Sequence, residues 1–323
     1  MSNQTDSQSY TTGEVEHSSK RIASRTSDVG GIPVARALPT REQRMIGPWC
    51  FLDHAGPTLF KEDETGMQVG AHPHTCLQTF TWMISGAVMH RDSIGSEQLI
   101  RPGQVNLMTA GHGISHTESS VFQTDADSKN STNERSLHAA QLWIALPADK
   151  ASIAPRFDHY PELPVFNQDK VQITVLIGEY AGAKAPTLHF SPIVGVELLF
   201  TEQSSVHLAL LPTFEYGLFG LEGGFTVNGE AYAQDELAFI CQDGSKALTV
   251  IAEAGTRLLL IGGEPFAENV TIWWNFVGHS KEYIAAAQQD WHAQDERFGS
   301  APLQEWLTKS IRAKRMDGPP VPW

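Results

Sequence analysis

The chain has 323 residues, of which 41% are hydrophobic and 19% are charged, and its formal net charge at pH 7 is −14. This length suits two domains of roughly 100–150 residues each, and the acidity argues against direct nucleic-acid binding, which needs a basic face for the phosphates. No apolar run approaches the ~20 residues that span a bilayer, and the N-terminus lacks a secretory signal pattern. The three widely spaced cysteines, Cys50, Cys76 and Cys241, fit a reducing cytoplasm better than a disulfide framework. We therefore expect a cytoplasmic protein that does not contact membranes.

Strand-like runs separated by glycine and proline predict an all-β chain. Residues 1–20 are polar and rich in Ser, Thr and Gln, which predicts a disordered tail. We expect a first barrel over 21–147, a proline-spaced linker over 148–170, a second barrel over 171–296 and a tail over 297–323. The second barrel is built from short strand candidates between Val171 and Ile261, among them His189–Phe190. Lys281–Asp290 is rich in Ala, Gln and Glu and predicts a short C-terminal helix.

Two short stretches carry the strongest chemical signal, GAHPH (Gly70–His74) and GISHTE (Gly113–Glu118). Alternate residues of a strand point to the same face, so His72 and His74 can converge on one point, and so can His116 and Glu118. A lone His-x-His pair is equally consistent with two histidines on a solvent-facing strand. The sequence between the two stretches has a hairpin pattern, in which strand-like runs alternate with turn residues. This pattern favours a shared site, because hairpins fold distant stretches back alongside each other.

Three imidazoles and one carboxylate form a donor set that leaves open positions on a six-coordinate metal. The set suits Fe(II), and also Mn, Ni, Co, Cu or Zn, whereas the absence of thiolates at ligand spacing disfavours a closed structural zinc site. Glu118 could also act as a general base towards a bound hydroxyl group. The second half has no comparable pair, since His189 and His207 stand isolated. We therefore predict one divalent metal per chain, in the first barrel.

The chain resembles the pirin family in several specific motifs that extend from about Arg21 to Trp291. They are HPH (His72–His74), HRDSIG (His90–Gly95), IRPG (Ile100–Gly103), MTAGHGISHTE (Met108–Glu118), IGPWCFLDHAGP (Ile46–Pro57), LHAAQLWIALP (Leu137–Pro147) and GGEPF (Gly262–Phe266). The resemblance implies a bicupin fold, which is two tandem antiparallel jelly-roll barrels. It also implies a single metal, usually iron, whose ligands fall on His72, His74, His116 and Glu118.

The family's reported activity is quercetin 2,3-dioxygenation, in which O2 opens the flavonol heterocycle and carbon monoxide is released. The resemblance thus implies that a small phenolic substrate and O2 are the partners, with Glu118 deprotonating the flavonol 3-hydroxyl group. A non-catalytic, redox-responsive regulator that acts through a protein partner is the alternative, because some pirins act in this way. A structural metal that only holds the barrel together is a third possibility.

The chain departs from the family pattern directly after HPH. Thr75 and Gln78 stand where the family usually has Arg and Glu, so we expect a changed charge at the cavity mouth and near the metal. The insert Val121–Arg135 is longer and more polar than is usual in the family. These departures put the flavonol preference in question but leave the four ligands in place.

Other residues near the motifs are less specific, and core packing or a local contact explains several of them. His54 either lines the pocket, or supports a metal ligand, or is a turn residue. We expect His90 to make a local polar contact beside Asp92 and His112 to be exposed in a turn. His138 precedes a strand at the end of the first barrel and is a weaker candidate to approach the metal region. The candidates for an apolar cavity wall, which core packing explains equally well, are Phe51, Phe80, Trp82, Leu107, Leu142 and Ile144.

Overall fold

Strands dominate the computed structural model, which describes residues 19–122, 135–241, 246–302 and 314–323. The predicted disordered tail, residues 1–20, and the polar insert, Val121–Arg135, lie almost entirely outside the described residues. Within them, no helix combines the length and the apolar character that crossing a membrane requires.

The strands of the first half alternate with tight turns, as the glycine and proline spacing predicts. They are, in chain order, Ser19–Ala23 (β1), Arg25–Val29 (β2), Ile32–Leu38 (β3), Trp49–Leu59 (β4), Gln68–His74 (β5), Leu77–Gly86 (β6), Val88–Asp92 (β7), Glu97–Ile100 (β8), Val105–Thr109 (β9), Ile114–Ser120 (β10), Ser136–Ala145 (β11) and Arg156–Tyr160 (β12).

The second half has the same pattern and adds one α-helix. Its elements are Val165–Gln168 (β13), Val171–Tyr180 (β14), Ala183–Lys184 (β15), Ile193–Phe200 (β16), Ser204–Ala209 (β17), Glu215–Glu222 (β18), Phe225–Val227 (β19), Glu230–Tyr232 (β20), Glu236–Ile240 (β21), Ala247–Ala252 (β22), Arg257–Gly263 (β23), Thr271–Trp273 (β24), Phe276–Gly278 (β25) and Lys281–His292 (α1). Two short 3-10 turns are at Ala148–Lys150 and Glu296–Phe298. The candidate strand His189–Phe190 is wrong, since these residues lie outside the strands.

Each barrel consists of two facing antiparallel sheets. In the first barrel, a sheet with the strand order β12-β9-β6-β11-β4-β3-β2 faces a smaller sheet with the order β5-β10-β7-β8. In the second, β1-β21-β18-β23-β16-β14-β13, with β15 beside β14, faces β17-β22-β19-β20. The prediction of an all-β chain with a short C-terminal helix is confirmed, and the helix begins at the predicted residue, with the Ser280 side chain accepting a hydrogen bond from the Tyr283 N–H as an N-cap.

The two larger sheets pack against each other through a shared apolar core. Phe80 and Leu142 of the first barrel meet Phe219 and Leu259 of the second in this core. Trp49 lies at its centre and its indole N–H donates to the carbonyl oxygens of Val194 and Gly262, at 3.2 and 3.1 Å. The barrels therefore form one continuous structure, because burial of this interface removes large apolar side chains of both from water.

Edge strands are exchanged between the barrels, which alters the predicted domain boundaries. β1 pairs with β21 of the second barrel over its whole length, whereas β2 and β3, which follow it directly, belong to the first barrel. Within the predicted linker, β12 pairs with β9 and completes the first barrel, while β13 pairs with β14 in the second. The proline spacing suggested an irregular connector, but the backbone groups of such edge strands find partners that local sequence does not reveal.

The chain returns to the first barrel after β23. The hairpin of β24 and β25 contacts the end of β5, where the Val277 N–H donates to the Thr75 carbonyl oxygen at 3.3 Å. Helix α1 follows and buries Ile284 and Trp291. C-terminal residues thus complete the end of the first barrel at which the HPH motif lies.

Candidate metal centre

The two histidine-bearing stretches are neighbouring strands. β5 and β10 pair antiparallel with His72 opposite His116 and His74 opposite Ile114, and a bulge separates His116 from Glu118. Because alternate side chains of a strand share a face, His72 and His74 point to the same side of the sheet. All three imidazoles are buried, His74 and His116 to 1% exposure. The structure therefore brings together the histidines that the spacing selected.

The three imidazole rings surround one small volume. Their centroids lie 4.3 to 5.0 Å apart, and one nitrogen from each ring lies within 4.8 Å of the others. The closest approach is between Nε2 of His74 and Nε2 of His116, at 3.1 Å.

Backbone carbonyl groups define the tautomers of two of the rings. Nδ1 of His72 lies 2.8 Å from the Gly70 oxygen, and Nδ1 of His74 lies 3.0 Å from the Asn275 oxygen. A carbonyl oxygen can only accept, so each Nδ1 carries the ring proton and donates it. In the neutral rings, Nε2 of His72 and of His74 is therefore left with its lone pair.

His116 is oriented by a chain of side chains from β7. Oδ2 of Asp92 lies 3.1 Å from Nε2 of His90, and Nδ1 of His90 lies 3.3 Å from Nδ1 of His116. The carboxylate accepts from His90 Nε2–H, and in the neutral form of His90 its Nδ1 is then the acceptor of the His116 Nδ1–H. The lone pair of His116 Nε2 then points at His74. Although burial opposes it, hydrogen bonds from His90 and Ser96 hold the pKa of Asp92 below its ordinary value, so its charge is secured.

With these tautomers, the Nε2 lone pairs of His74 and His116 face each other at 3.1 Å. Burial lowers the pKa of His72 to about 4 and holds the pKa of His74 and His116 well below the ordinary 6.5, so near neutral pH the rings are in the uncharged, ligand-competent form. A divalent cation relieves this repulsion, since neutral imidazole nitrogens are metal ligands. The donor set of the site therefore fits a bound metal ion.

Glu118 belongs to a second group of possible ligands that overlaps the first. Its carboxylate lies within 4.8 Å of nitrogens of His90 and His116, which makes His116 the residue common to both groups. Burial raises the pKa of Glu118, which makes its carboxylate a stronger base. The predicted local contact of His90 with Asp92 is present, but its contact with His116 was missed. Strand alternation could have indicated the contact between His90 and His116. β7 pairs with β10 so that His90 lies opposite Glu118 and Asp92 lies opposite His116.

His72, His74, His116 and Glu118 line a cavity of about 560 Å³ in the first barrel. Near the histidines, Phe51 and Trp143 stack at 4.0 Å between ring centroids, and Trp143 meets the edge of the His74 ring at 5.0 Å. Trp274 of the β24–β25 hairpin and Met316 near the C-terminus contribute to the wall. No local pattern pointed to these last two, since both lie more than 150 residues beyond Glu118.

Of the predicted cavity wall, only Phe51 lines the cavity. The other five candidates face the opposite side of the same sheet, in the core between the barrels: Phe80, Trp82, Leu107, Leu142 and Ile144. Strand alternation is the physical reason, because a residue next to an inward-facing one points outward.

Thr75 and Gln78 do not line the cavity either. The Thr75 hydroxyl group donates to the Val277 oxygen at 2.9 Å, and the Gln78 amide donates to Thr109 and to the Leu188 oxygen. Both are fully buried outside the cavity. The expected placement of these two positions at the cavity mouth and beside the metal is therefore wrong.

His54 and His138 lie between the barrels and away from the histidine centre. Nε2 of His54 is 2.7 Å from Nε2 of His138, Nδ1 of His54 is 2.6 Å from Asp235, and Nδ1 of His138 is 3.2 Å from Glu222. His54 is thus neither a pocket residue nor a simple turn residue. His112 is exposed, as predicted.

Isolated histidines of the second barrel have local partners. His207 is exposed and contacts the Thr249 hydroxyl group at 2.9 Å, and His189 contacts the Thr187 oxygen at 3.1 Å. Both groups of possible metal ligands found among the described residues lie in the first barrel.

Comparisons with known proteins agree with this geometry. Two family models match the chain, one described as Pirin over residues 31–144 and one as the Pirin C-terminal cupin domain over residues 195–299. A Pseudomonas aeruginosa protein named provisionally as a quercetin 2,3-dioxygenase is 50% identical over 309 residues, which cover 95% of this chain and 92% of that protein.

Solved structures show the same architecture. The crystal structure of quercetin 2,3-dioxygenase from Acinetobacter baumannii is 44% identical, with a TM-score of 0.85 over 94% of this chain and 96% of that one. A bacterial pirin from Escherichia coli in complex with nickel(II) is 19% identical, with a TM-score of 0.59 over 77% of this chain and 100% of that one, and shares the fold.

Proposed function

The chain belongs to the pirin family, and from this premise we propose that its first barrel holds one Fe(II) ion and catalyses the opening of a flavonol ring of quercetin type by O2. The observation that carries the proposal is the convergence of Nε2 of His74 and Nε2 of His116, with His72 beside them, in the wall of a cavity of the first barrel. The family assignment also makes the fold a bicupin.

The proposed ligands are His72, His74, His116 and Glu118. The bound ion would supply a Lewis acid with open positions for the substrate oxygen and for O2, and a redox-active centre. The hydrogen bonds of the Nδ1 groups hold the three rings with Nε2 inward, which is the role that outer hydrogen-bond partners have at metal sites.

The chain's own residues have three tasks in the reaction. Glu118, after it swings off the ion, takes the proton of the flavonol 3-hydroxyl group, for which its carboxylate lies in the wall of the same cavity. Phe51 and Trp143 offer an apolar wall beside His74 to a planar ring. The buried histidines and the aromatic pair lower the local polarity beside the ion, which strengthens electrostatic interactions there.

The cavity volume favours an enzyme over a regulator that acts only by protein contact. A volume of about 560 Å³ lies within the ~300–1,000 Å³ of pockets that hold small ligands. A regulatory surface needs no such internal space. The names of the relatives support a quercetin-type substrate as the occupant.

The test is anaerobic purification with metal analysis, followed by O2 consumption with quercetin for wild type, His74→Ala and the control His207→Ala. We expect about one metal per chain and turnover in wild type and in the control, because His207 is an exposed histidine of the second barrel, and loss of both in His74→Ala. Metal binding without turnover in wild type contradicts the enzymatic proposal, and absence of metal contradicts the site.

A further inference from the structure

A row of polar side chains crosses the inner face of the larger sheet of the first barrel. Gln141 of β11 lies opposite Thr81 of β6 on one side and opposite Asp53 of β4 on the other, and Asp53 lies opposite Arg36 of β3. All four residues line the cavity. The row is unusual because barrel interiors are normally filled by apolar side chains.

Apolar side chains flank this row on both sides. Two residues further along β11 and β4 towards the histidines are Trp143 and Phe51, and two residues in the other direction are Ala139 and Ala55. Since a strand rises ~3.3 Å per residue, the row lies about 7 Å beyond the stacked aromatic pair. A planar molecule that extends from the metal centre along Phe51 and Trp143 therefore reaches the polar row with its far end.

Within the row, the side chains hold one another in place. Arg36 donates to both carboxylate oxygens of Asp53, at 2.7 and 2.6 Å, and its guanidinium lies 4.7 Å from the Phe51 ring centroid. The Thr81 hydroxyl group donates to Oε1 of Gln141 at 2.7 Å. These contacts orient the row and leave part of its hydrogen-bonding capacity for a ligand, since each carboxylate oxygen of Asp53 can accept a second hydrogen bond.

Two amide side chains in the cavity wall each have one polar atom without a hydrogen-bond partner among the described residues. Oε1 of Gln68, on β5 of the facing sheet, accepts no hydrogen bond although Gln68 is only 3% exposed, and its Nε2 is engaged by the Thr65 oxygen. Gln141 is half-buried, and the hydrogen bond of its amide within that part of the chain is the one that Oε1 accepts from Thr81, so its Nε2 can donate to a ligand. Buried polar groups are normally paired, so the unpaired oxygen of Gln68, on a residue that lines the same cavity as Gln141, indicates a polar ligand there.

We propose that Gln141, Gln68 and Asp53 form a subsite for the phenolic hydroxyl groups on the substrate ring remote from the metal. The Gln141 amide donates to a phenol oxygen, and Gln68 Oε1 and the Asp53 carboxylate accept from phenol O–H groups. The inference rests on the proposed function and defines its substrate class as polyhydroxylated planar aromatics. A flavonol that carries only the 3-hydroxyl group leaves these groups unpaired and binds less tightly.

The test compares three matched Gln→Met variants: Gln141→Met, Gln68→Met and the control Gln172→Met at an exposed position of β14. Affinities of the metal-loaded proteins for quercetin and for 3-hydroxyflavone are measured anaerobically by fluorescence titration, so that no turnover is needed. We expect wild type and the control to prefer quercetin. Each cavity variant should reduce that preference about fivefold, as expected for one lost hydrogen bond, with 3-hydroxyflavone affinity unchanged.

The outcomes separate this inference from the proposed function. No preference in wild type, or an unchanged preference in the folded cavity variants, overturns the subsite even when O2 consumption with quercetin is intact. A reduced preference in the variants supports the subsite even when no flavonol is turned over. Thermal unfolding identifies a cavity variant that does not fold. In that case the result of the remaining cavity variant, whose substituted residue lies on the facing sheet, tests the subsite.

Discussion

Replacing His90 with Phe tests how much the metal centre depends on the hydrogen bond that orients His116. The Phe ring preserves the stack that His90 makes on Phe157, at 4.5 Å between centroids, but removes the acceptor of the His116 Nδ1–H. An orphaned buried donor costs about 1–3 kcal/mol, which corresponds to roughly 5- to 150-fold in affinity. At 3.3 Å the bond is longer than the usual range, so we expect about tenfold weaker metal binding, the lower end of outer-partner effects.

The assay is titration of the metal-free protein with Ni(II) in competition with a chelator. His159→Phe is the matched control, because His159 lies on β12 of the same barrel but does not line the cavity. Its Nδ1 lies 2.7 Å from Oδ1 of Asn106. An affinity of His90→Phe equal to that of wild type refutes the reasoning from tautomers. Loss as complete as in His74→Ala also refutes it, since His90 is then itself a ligand.

Two further predictions concern stability. Burial and the neighbouring His54 lower the pKa of His138 to about 3, so below pH 6.5 the unfolded chain binds a proton that the folded chain does not. Between pH 7 and pH 5, the free energy of unfolding of His138→Gln should therefore fall by about 2 kcal/mol less than that of wild type. Urea unfolding at the two pH values measures this, and equal losses contradict it. Gly111→Ala should lower the melting temperature well beyond Gly103→Ala. Both glycines have φ above +50°, which costs an L-residue about 1–2 kcal/mol, but a Cβ at Gly111 would lie 1.9 Å from the Ile153 oxygen whereas nothing lies within 4 Å of one at Gly103. Similar melting temperatures would contradict the steric argument.

The part of the site that local pattern could predict is the part governed by strand alternation. His72 and His74 share a face because they are two residues apart on one strand, and hairpin signals between them and His116 predicted that the strands meet. The same rule, applied to β7, which pairs with β10, would have added His90 to the predicted site. Alternation also explains why Phe80 and Trp82 face the other barrel, while Phe51 lies in the cavity.

What the sequence could not show depends on pairs of residues far apart in the chain. His54 and Asp235 are brought together by the packing of one barrel on the other, and Asn275 reaches His74 from a hairpin near the C-terminus. The partners of β1 and β12 are likewise set by the whole fold. Local periodicity carries no information about which barrel an edge strand joins, so the domain boundaries could not be read from it.

The exchange of β1 imposes an order on folding during synthesis. Ser19–Ala23 leaves the ribosome before any other described strand, yet its partner Glu236–Ile240 is translated more than 200 residues later. The first barrel acquires its last strand, Arg156–Tyr160, well before that point. Domains generally fold from the N-terminus as they emerge, but here the first of the described strands waits for a late partner, and a nascent chain carries this strand unpaired until β21 has been translated.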